Sequence, residues 1–228
     1  MSLWRSYGAA LILVQLAGCG ERTASTNDVA QEPVAKPAPA SSEGEKLVLA
    51  FGDSLYAGYG VPAAESFPAE LEKALEKVGV DARVQNGGVS GDTTAAGRQR
   101  LAFTLDGLPR KPDMVVLGLG GNDMLRGLPP EETEANLRAI LDELKRRQIP
   151  VMLTGMVAAP NLGRDYVARF NAIYPDLARE YDVALYPFFL EGVVTDQRLM
   201  LPDRIHPNPA GIDRIVARVT PLIAERLR

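Results

Sequence analysis

From Lys46 onward the chain alternates short, unbroken apolar runs with longer stretches whose apolar residues recur at helical spacing, and nothing else constrains its fold as much. An apolar run with no polar residue inside it suits a strand buried on both faces. Such runs lie at 47–51, 114–119, 151–154 and 183–186, and a further short strand is predicted at 82–85. Between them, helices are predicted over 67–78, 94–105, 130–148, 166–181 and 210–226. The first carries Leu71, Leu75 and Val78 on one face and stops at Gly79. The third opens on Pro130 and turns Leu137, Ile140, Leu141 and Leu144 inward. The fourth is expected to kink or split at Pro175. Strand–helix alternation of this kind predicts an α/β domain of three layers, a five-stranded, mostly parallel sheet between helices. Ligands of such sheets bind beyond the carboxyl ends of the strands.

Composition narrows the function. The 228 residues allow one substantial domain with appendages. A net charge of −4 argues against a nucleic-acid surface, which needs clustered Lys and Arg. The longest basic cluster, Lys145-Arg146-Arg147, ends a predicted helix, where it complements the helix dipole. A single cysteine excludes an intramolecular disulfide and a cysteine-based metal site, and a single histidine argues against a histidine-rich one. No metal and no cofactor is therefore expected, and the chain is expected to act as a monomer.

The strand ends carry the unusual residues. The first strand ends in Gly52-Asp53-Ser54-Leu55, the second runs into Asn86-Gly87-Gly88-Val89-Ser90-Gly91-Asp92-Thr93, and the third ends in Gly120-Gly121-Asn122-Asp123. Asp203-Arg204-Ile205-His206-Pro207 follows the fifth. Acyl transfer needs a hydroxyl on a sharp turn, a base for its proton, an acid to orient the base, and donors aimed at the developing oxyanion. Only Ser54, Ser66 and Ser90 lie in the folded region, and Ser54 directly follows a strand. Asp203 stands three residues before the only histidine, a spacing that puts both side chains on one face of a turn or helical coil. Each element alone has a plainer reading: a turn or helix cap for Gly-Asp-Ser, a structural histidine, a loop for Gly-Gly-Asn-Asp, cap material for Asp92 and Thr93. Their order along the chain and their place at strand ends favour the chemical one.

These blocks resemble those of the GDSL, or SGNH, hydrolases over essentially the whole region from Leu47 to Arg228, and most closely the periplasmic thioesterase, lysophospholipase and arylesterase branch. The resemblance implies a flavodoxin-like SGNH fold and a carboxylic ester hydrolase acting through an acyl-enzyme. It implies Ser54 as nucleophile, His206 as general base and Asp203 as its orienting acid. The implied oxyanion hole is the backbone N–H of Ser54, the backbone N–H of Gly91 and the side-chain amide of Asn122. Asp53 and Asp92 read as turn-stabilising. Small-molecule acyl esters, thioesters or lysophospholipids are the implied substrates. Met124, Leu125, Leu128, Met156, Val157, Leu162 and Phe189 are candidates for an acyl groove, or else ordinary core and loop residues.

Three rival readings have their own signatures. An α/β-hydrolase calls for G-x-S-x-G, but Tyr56 stands where the second glycine should be. A flavodoxin-like phosphate or flavin binder wants a hydroxyl-rich loop after the first strand, and residues 52–60 lack one. A non-catalytic ligand-binding lipoprotein on the same fold would have no need of an intact Ser–His–Asp set.

The amino-terminal region carries a separate message. Arg5 precedes an apolar run at 9–16, too short to span a bilayer, and Leu16-Ala17-Gly18-Cys19 resembles a bacterial lipobox. That resemblance implies a lipoprotein signal peptide over 1–18, lipidation at Cys19, and a periplasmic protein anchored to a membrane. Gly20 in place of Asp resembles an outer-membrane sorting signal. Residues 19–45 read as a tether rich in Ala, Pro, Ser and Glu, unable to bury enough apolar surface to order itself, with the hydrolase domain over 46–228. The 26 residues after Cys19 would reach roughly 30 Å as a flexible coil.

Overall fold

The computed structural model describes residues 44–228. The signal peptide, Cys19 and nearly all of the tether expected from the sequence lie outside the described residues. Five strands form one sheet: β1 (Lys46–Gly52), β2 (Ala82–Gly88), β3 (Met114–Gly118), β4 (Val151–Thr154) and β5 (Ala184–Tyr186). Their order is β2-β1-β3-β4-β5 and every pairing is parallel. The helices are α1 (Ser54–Ala57), α2 (Phe67–Lys77), α3 (Thr94–Asp106), α4 (Gly121–Leu125), α5 (Pro130–Arg146), α6 (Arg164–Tyr181) and α7 (Pro209–Leu227). Among the described residues no helix is long and apolar enough to cross a membrane.

The unbroken apolar runs sort into two cores because successive side chains of a strand point to opposite faces. Val48, Ala50, Met114, Val116 and Met152 face α2 and α7, where Leu71, Leu75, Ile212, Ile215, Val219 and Ile223 are buried. Leu49, Phe51, Val115, Leu117, Val151 and Leu153 face α3, α5 and α6, against Leu101, Leu105, Leu137, Ile140, Leu141, Leu144, Phe170 and Leu177. The sheet is thus covered on both faces, and its connections reverse direction between β1 and β3. At that switch point a crevice opens beyond the carboxyl ends of the strands.

The expected five-stranded sheet is parallel throughout. Two local expectations are corrected. α6 is not split at Pro175, because Phe170, Ile173, Tyr174 and Leu177 on either side are buried in the same core and outweigh the lost backbone bond. β2 does not stop at Gln85 but continues through Asn86-Gly87-Gly88, pairing with β1 as far as Gly52.

Candidate active site

The nucleophile candidate sits where β1 meets α1. Asp53 caps α1, its Oδ1 accepting the backbone N–H of Leu55 at 3.0 Å. Ser54 is the first residue of that helix, so its N–H has no place in the intrahelical ladder and stays available as a donor. β2 approaches α1 so closely that a Cβ on Gly88 would lie 2.2 Å from the Ala57 nitrogen. Only glycine fits there.

Ser54 Oγ lies 2.8 Å from His206 Nε2, although 152 residues separate the two. His206 Nδ1 lies 2.7 Å from Asp203 Oδ2. The other oxygen, Asp203 Oδ1, accepts the backbone N–H of Ile205 at 2.9 Å and of His206 at 3.1 Å. One carboxylate therefore fixes both the turn and the ring on it. With Nδ1–H donating to Asp203, Nε2 is left as the acceptor that a serine hydroxyl needs. Burial works against the charge on Asp203, but the Ile205 N–H and the His206 ring and N–H outweigh it and hold the carboxyl down at about 2. The turn is tight enough that Arg204, a non-glycine, takes φ +59°, and Leu201 N–H donates to His206 O at 2.8 Å across its base. Tyr59 lies over the imidazole, ring centroids 4.4 Å apart.

Gly91 and Asn122 flank the serine and line the same cavity. Gly91 has φ +86°, a conformation L-residues rarely adopt. Asn122 Nδ2 donates to Asp92 O at 2.9 Å, and its second hydrogen has only a 3.4 Å contact with Asp53 Oδ2. That weakly held hydrogen is the one free to meet a ligand oxygen. The structure thus brings all five candidates, Ser54, Asp203, His206, Gly91 and Asn122, to one crevice.

Several residues do more to hold this arrangement than the sequence reading gave them, and Arg100 carried no signal there at all. Asp92 is more than a cap: its Oδ2 takes Arg100 Nε at 2.6 Å, and Arg100 Nη2 donates to Gly52 O at 2.9 Å, tying the Gly91 loop to the end of β1. Asp123 is buried and accepts Thr94 N–H at 2.8 Å and Thr94 Oγ–H at 2.5 Å, locking α4 to α3. Asp53, also a turn former in the sequence reading, is 3% exposed. Burial pushes its carboxyl up to about 6; the Leu55 N–H and His206 pull the other way, while the neighbouring carboxylates of Asp92 and Asp123 add to the rise.

The crevice opens into a cavity of about 650 Å³. Of the groove candidates, Met124, Leu125, Met156 and Val157 line it. Leu128 and Leu162 do not, and Phe189 belongs to the core, stacked on Tyr56. Leu55, Tyr59, Phe188, Leu190, Val194 and Ile205 also line it. Among the described residues no cluster of His, Cys, Asp and Glu converges as a metal site.

A hydroxyl, an imidazole and a carboxylate in line at the switch point of a doubly wound sheet are the constellation of a serine hydrolase. Residues 50–214 match the GDSL-like lipase/acylhydrolase family, and the chain belongs to it. It is 42% identical to an arylesterase of Vibrio mimicus over 75% of this chain and 84% of that one. It is 40% identical to thioesterase 1/protease 1/lysophospholipase L1 of Escherichia coli strain K12, covering 77% of this chain and 84% of the other. Among solved structures, the SGNH-hydrolase family esterase AlinE4 is 50% identical with a TM-score of 0.70, over 82% of this chain and 100% of that chain.

Proposed function

We propose that this GDSL-type esterase hydrolyses carboxylic esters and thioesters of apolar acyl groups through an acyl-enzyme on Ser54. The observation that carries the reading is the relay Ser54–His206–Asp203, with both hydrogen bonds within 2.8 Å. Ser54 Oγ adds to the acyl carbonyl carbon as its proton passes to His206 Nε2. The negative oxygen is held by the Ser54 N–H, the Gly91 N–H and the Asn122 amide, all neutral donors that do not bind a carboxylate product permanently. Collapse of the adduct expels the alkoxide or thiolate, which takes the proton from His206 Nε2. A water activated by the same nitrogen then releases the acid and restores Ser54. Asp203, ionised down to about pH 2, is available throughout to stabilise the imidazolium. The apolar walls of the 650 Å³ cavity suit an acyl chain, in keeping with relatives named arylesterase and thioesterase/lysophospholipase.

Ser54→Ala is expected to lower p-nitrophenyl ester hydrolysis by at least about a thousandfold with the fold intact. A variant that retained substantial activity would remove Ser54 from the mechanism. A chain-length series of esters and thioesters, run beside a lysophospholipid, then ranks the leaving groups.

We also infer from the lipobox-like Leu16-Ala17-Gly18-Cys19 that the enzyme is a lipid-anchored protein of the bacterial periplasm. Cys19→Ser is expected to move it from the membrane to the soluble fraction of the cell envelope. Unchanged sedimentation with membranes would count against lipidation.

A further inference from the structure

Among the described residues eight large apolar side chains are markedly exposed, and five of them, Tyr59, Leu125, Val157, Val194 and Ile205, stand around the mouth of the one catalytic cavity. They are 39–57% exposed, and none belongs to either core. Four separate segments deliver them: the α1–α2 connection, α4, the β4–α6 connection and the β5–α7 connection. Single exposed apolar residues are ordinary, but convergence of most of them on one rim marks an interaction surface.

The charge at this rim runs against that of the molecule. Arg126 follows Leu125 and Arg204 precedes Ile205, both exposed, in a chain of net charge −4. Neither forms an ion pair among the described residues; Arg126 Nη2 donates only to Gly91 O, at 2.8 Å. Asp203, the acid next to Arg204 in the chain, is engaged by His206. An apolar ring bearing two uncompensated guanidinium groups matches the boundary of an anionic bilayer, with acyl chains below and phosphates level with the arginines.

We propose that this rim is a docking surface for an anionic lipid bilayer, with Leu125 and Ile205 entering the headgroup–acyl boundary, Arg126 and Arg204 at the lipid phosphates, and the cavity mouth facing the membrane. The surface does this whether or not Ser54 is the nucleophile, so failure of the catalytic reading leaves it standing.

The test uses residues 44–228, since the whole sheet and both of its cores lie within them. Co-sedimentation is measured with phosphatidylcholine vesicles and with vesicles that also contain phosphatidylglycerol. Binding to the anionic vesicles is expected to be at least about tenfold tighter and to weaken at high salt. Arg126→Gln/Arg204→Gln should erase that preference. Leu125→Ser/Ile205→Ser should weaken binding to the anionic vesicles about tenfold. Phe103→Ser, which removes an 83% exposed side chain from a helix that does not line the cavity, should change nothing. Thermal melting of each variant checks that it is folded. Equal binding to both vesicles, no binding, or loss with Phe103→Ser alone would overturn the proposal. So would concentration-dependent self-association abolished by the rim variants, which would give the surface to a second copy of the chain.

Discussion

Asp53 shows how one residue can serve the fold and strain it together. Its Oδ1 caps α1 and its Oδ2 faces Asn122, but burial leaves the carboxyl at about 6 against 3.8 for an exposed aspartate. A carboxyl whose folded pKa is raised contributes stability that is complete below 3.8 and is lost as the pH climbs through about 6. Asp53→Asn escapes that loss. The variant's stability relative to the parent is expected to improve by about 2–3 kcal/mol between pH 4 and pH 8, as measured by urea unfolding. A pH-independent difference would mean that Asp53 does not titrate in this range. The same substitution is expected to cost activity. If the new amide keeps its oxygen on the Leu55 N–H, its NH₂ meets the NH₂ of Asn122, donor against donor. If Asn122 is the proposed oxyanion donor, displacing its amide should lower kcat by roughly a hundredfold, the usual effect of losing such a donor.

At the scale of elements, the site depends on two helices too short to read from a pattern. α1 has four residues and α4 five, less than two turns each, so neither can show a periodicity. Their positions come from the Asp53 cap and from Gly120 at φ +111°, and from packing that no single segment encodes. The long elements were legible because each carries an apolar run or stripe that only one environment satisfies. The blocks around Ser54, Asn122 and His206 were legible because their residue types and order are unusual. Arg100 was not: within α3 it reads as a solvated charge, and only the fold carries it to Asp92 and to Gly52. Gly88→Ala probes the α1 contact directly. The added methyl would meet backbone atoms of Tyr56 and Ala57 at 2.2–2.8 Å, so α1 has to move and Ser54 moves with it. Overpacking of this kind is expected to cost about 3 kcal/mol and to lower kcat in parallel. An unfolding midpoint equal to the parent's would show that β2 yields instead of α1.

Over the whole molecule, catalytic geometry and global stability should separate, because different ends of the fold hold them. The loop bearing His206 is fastened locally. Met200 bridges to Pro207, and Asn208 caps α7 through Gly211 N–H while donating to Arg198 O at 2.8 Å. The far end of α7 does something else. Ile223 is fully buried where α7 packs with α2 against the sheet, about four turns from the cap. Ile223→Ala is expected to destabilise by about 2–5 kcal/mol, lowering Tm by roughly 5–15 °C for a domain of this size. The void left by the truncation lies away from the carboxyl edge and the local ties of His206 are untouched, so kcat/KM at 25 °C should stay within about twofold of the parent. A large fall in kcat/KM under conditions where the variant is still folded would mean that α7 transmits its packing to the His206 loop along its length. The doubly wound sheet would then be a less rigid support for its carboxyl edge than its two closed cores suggest.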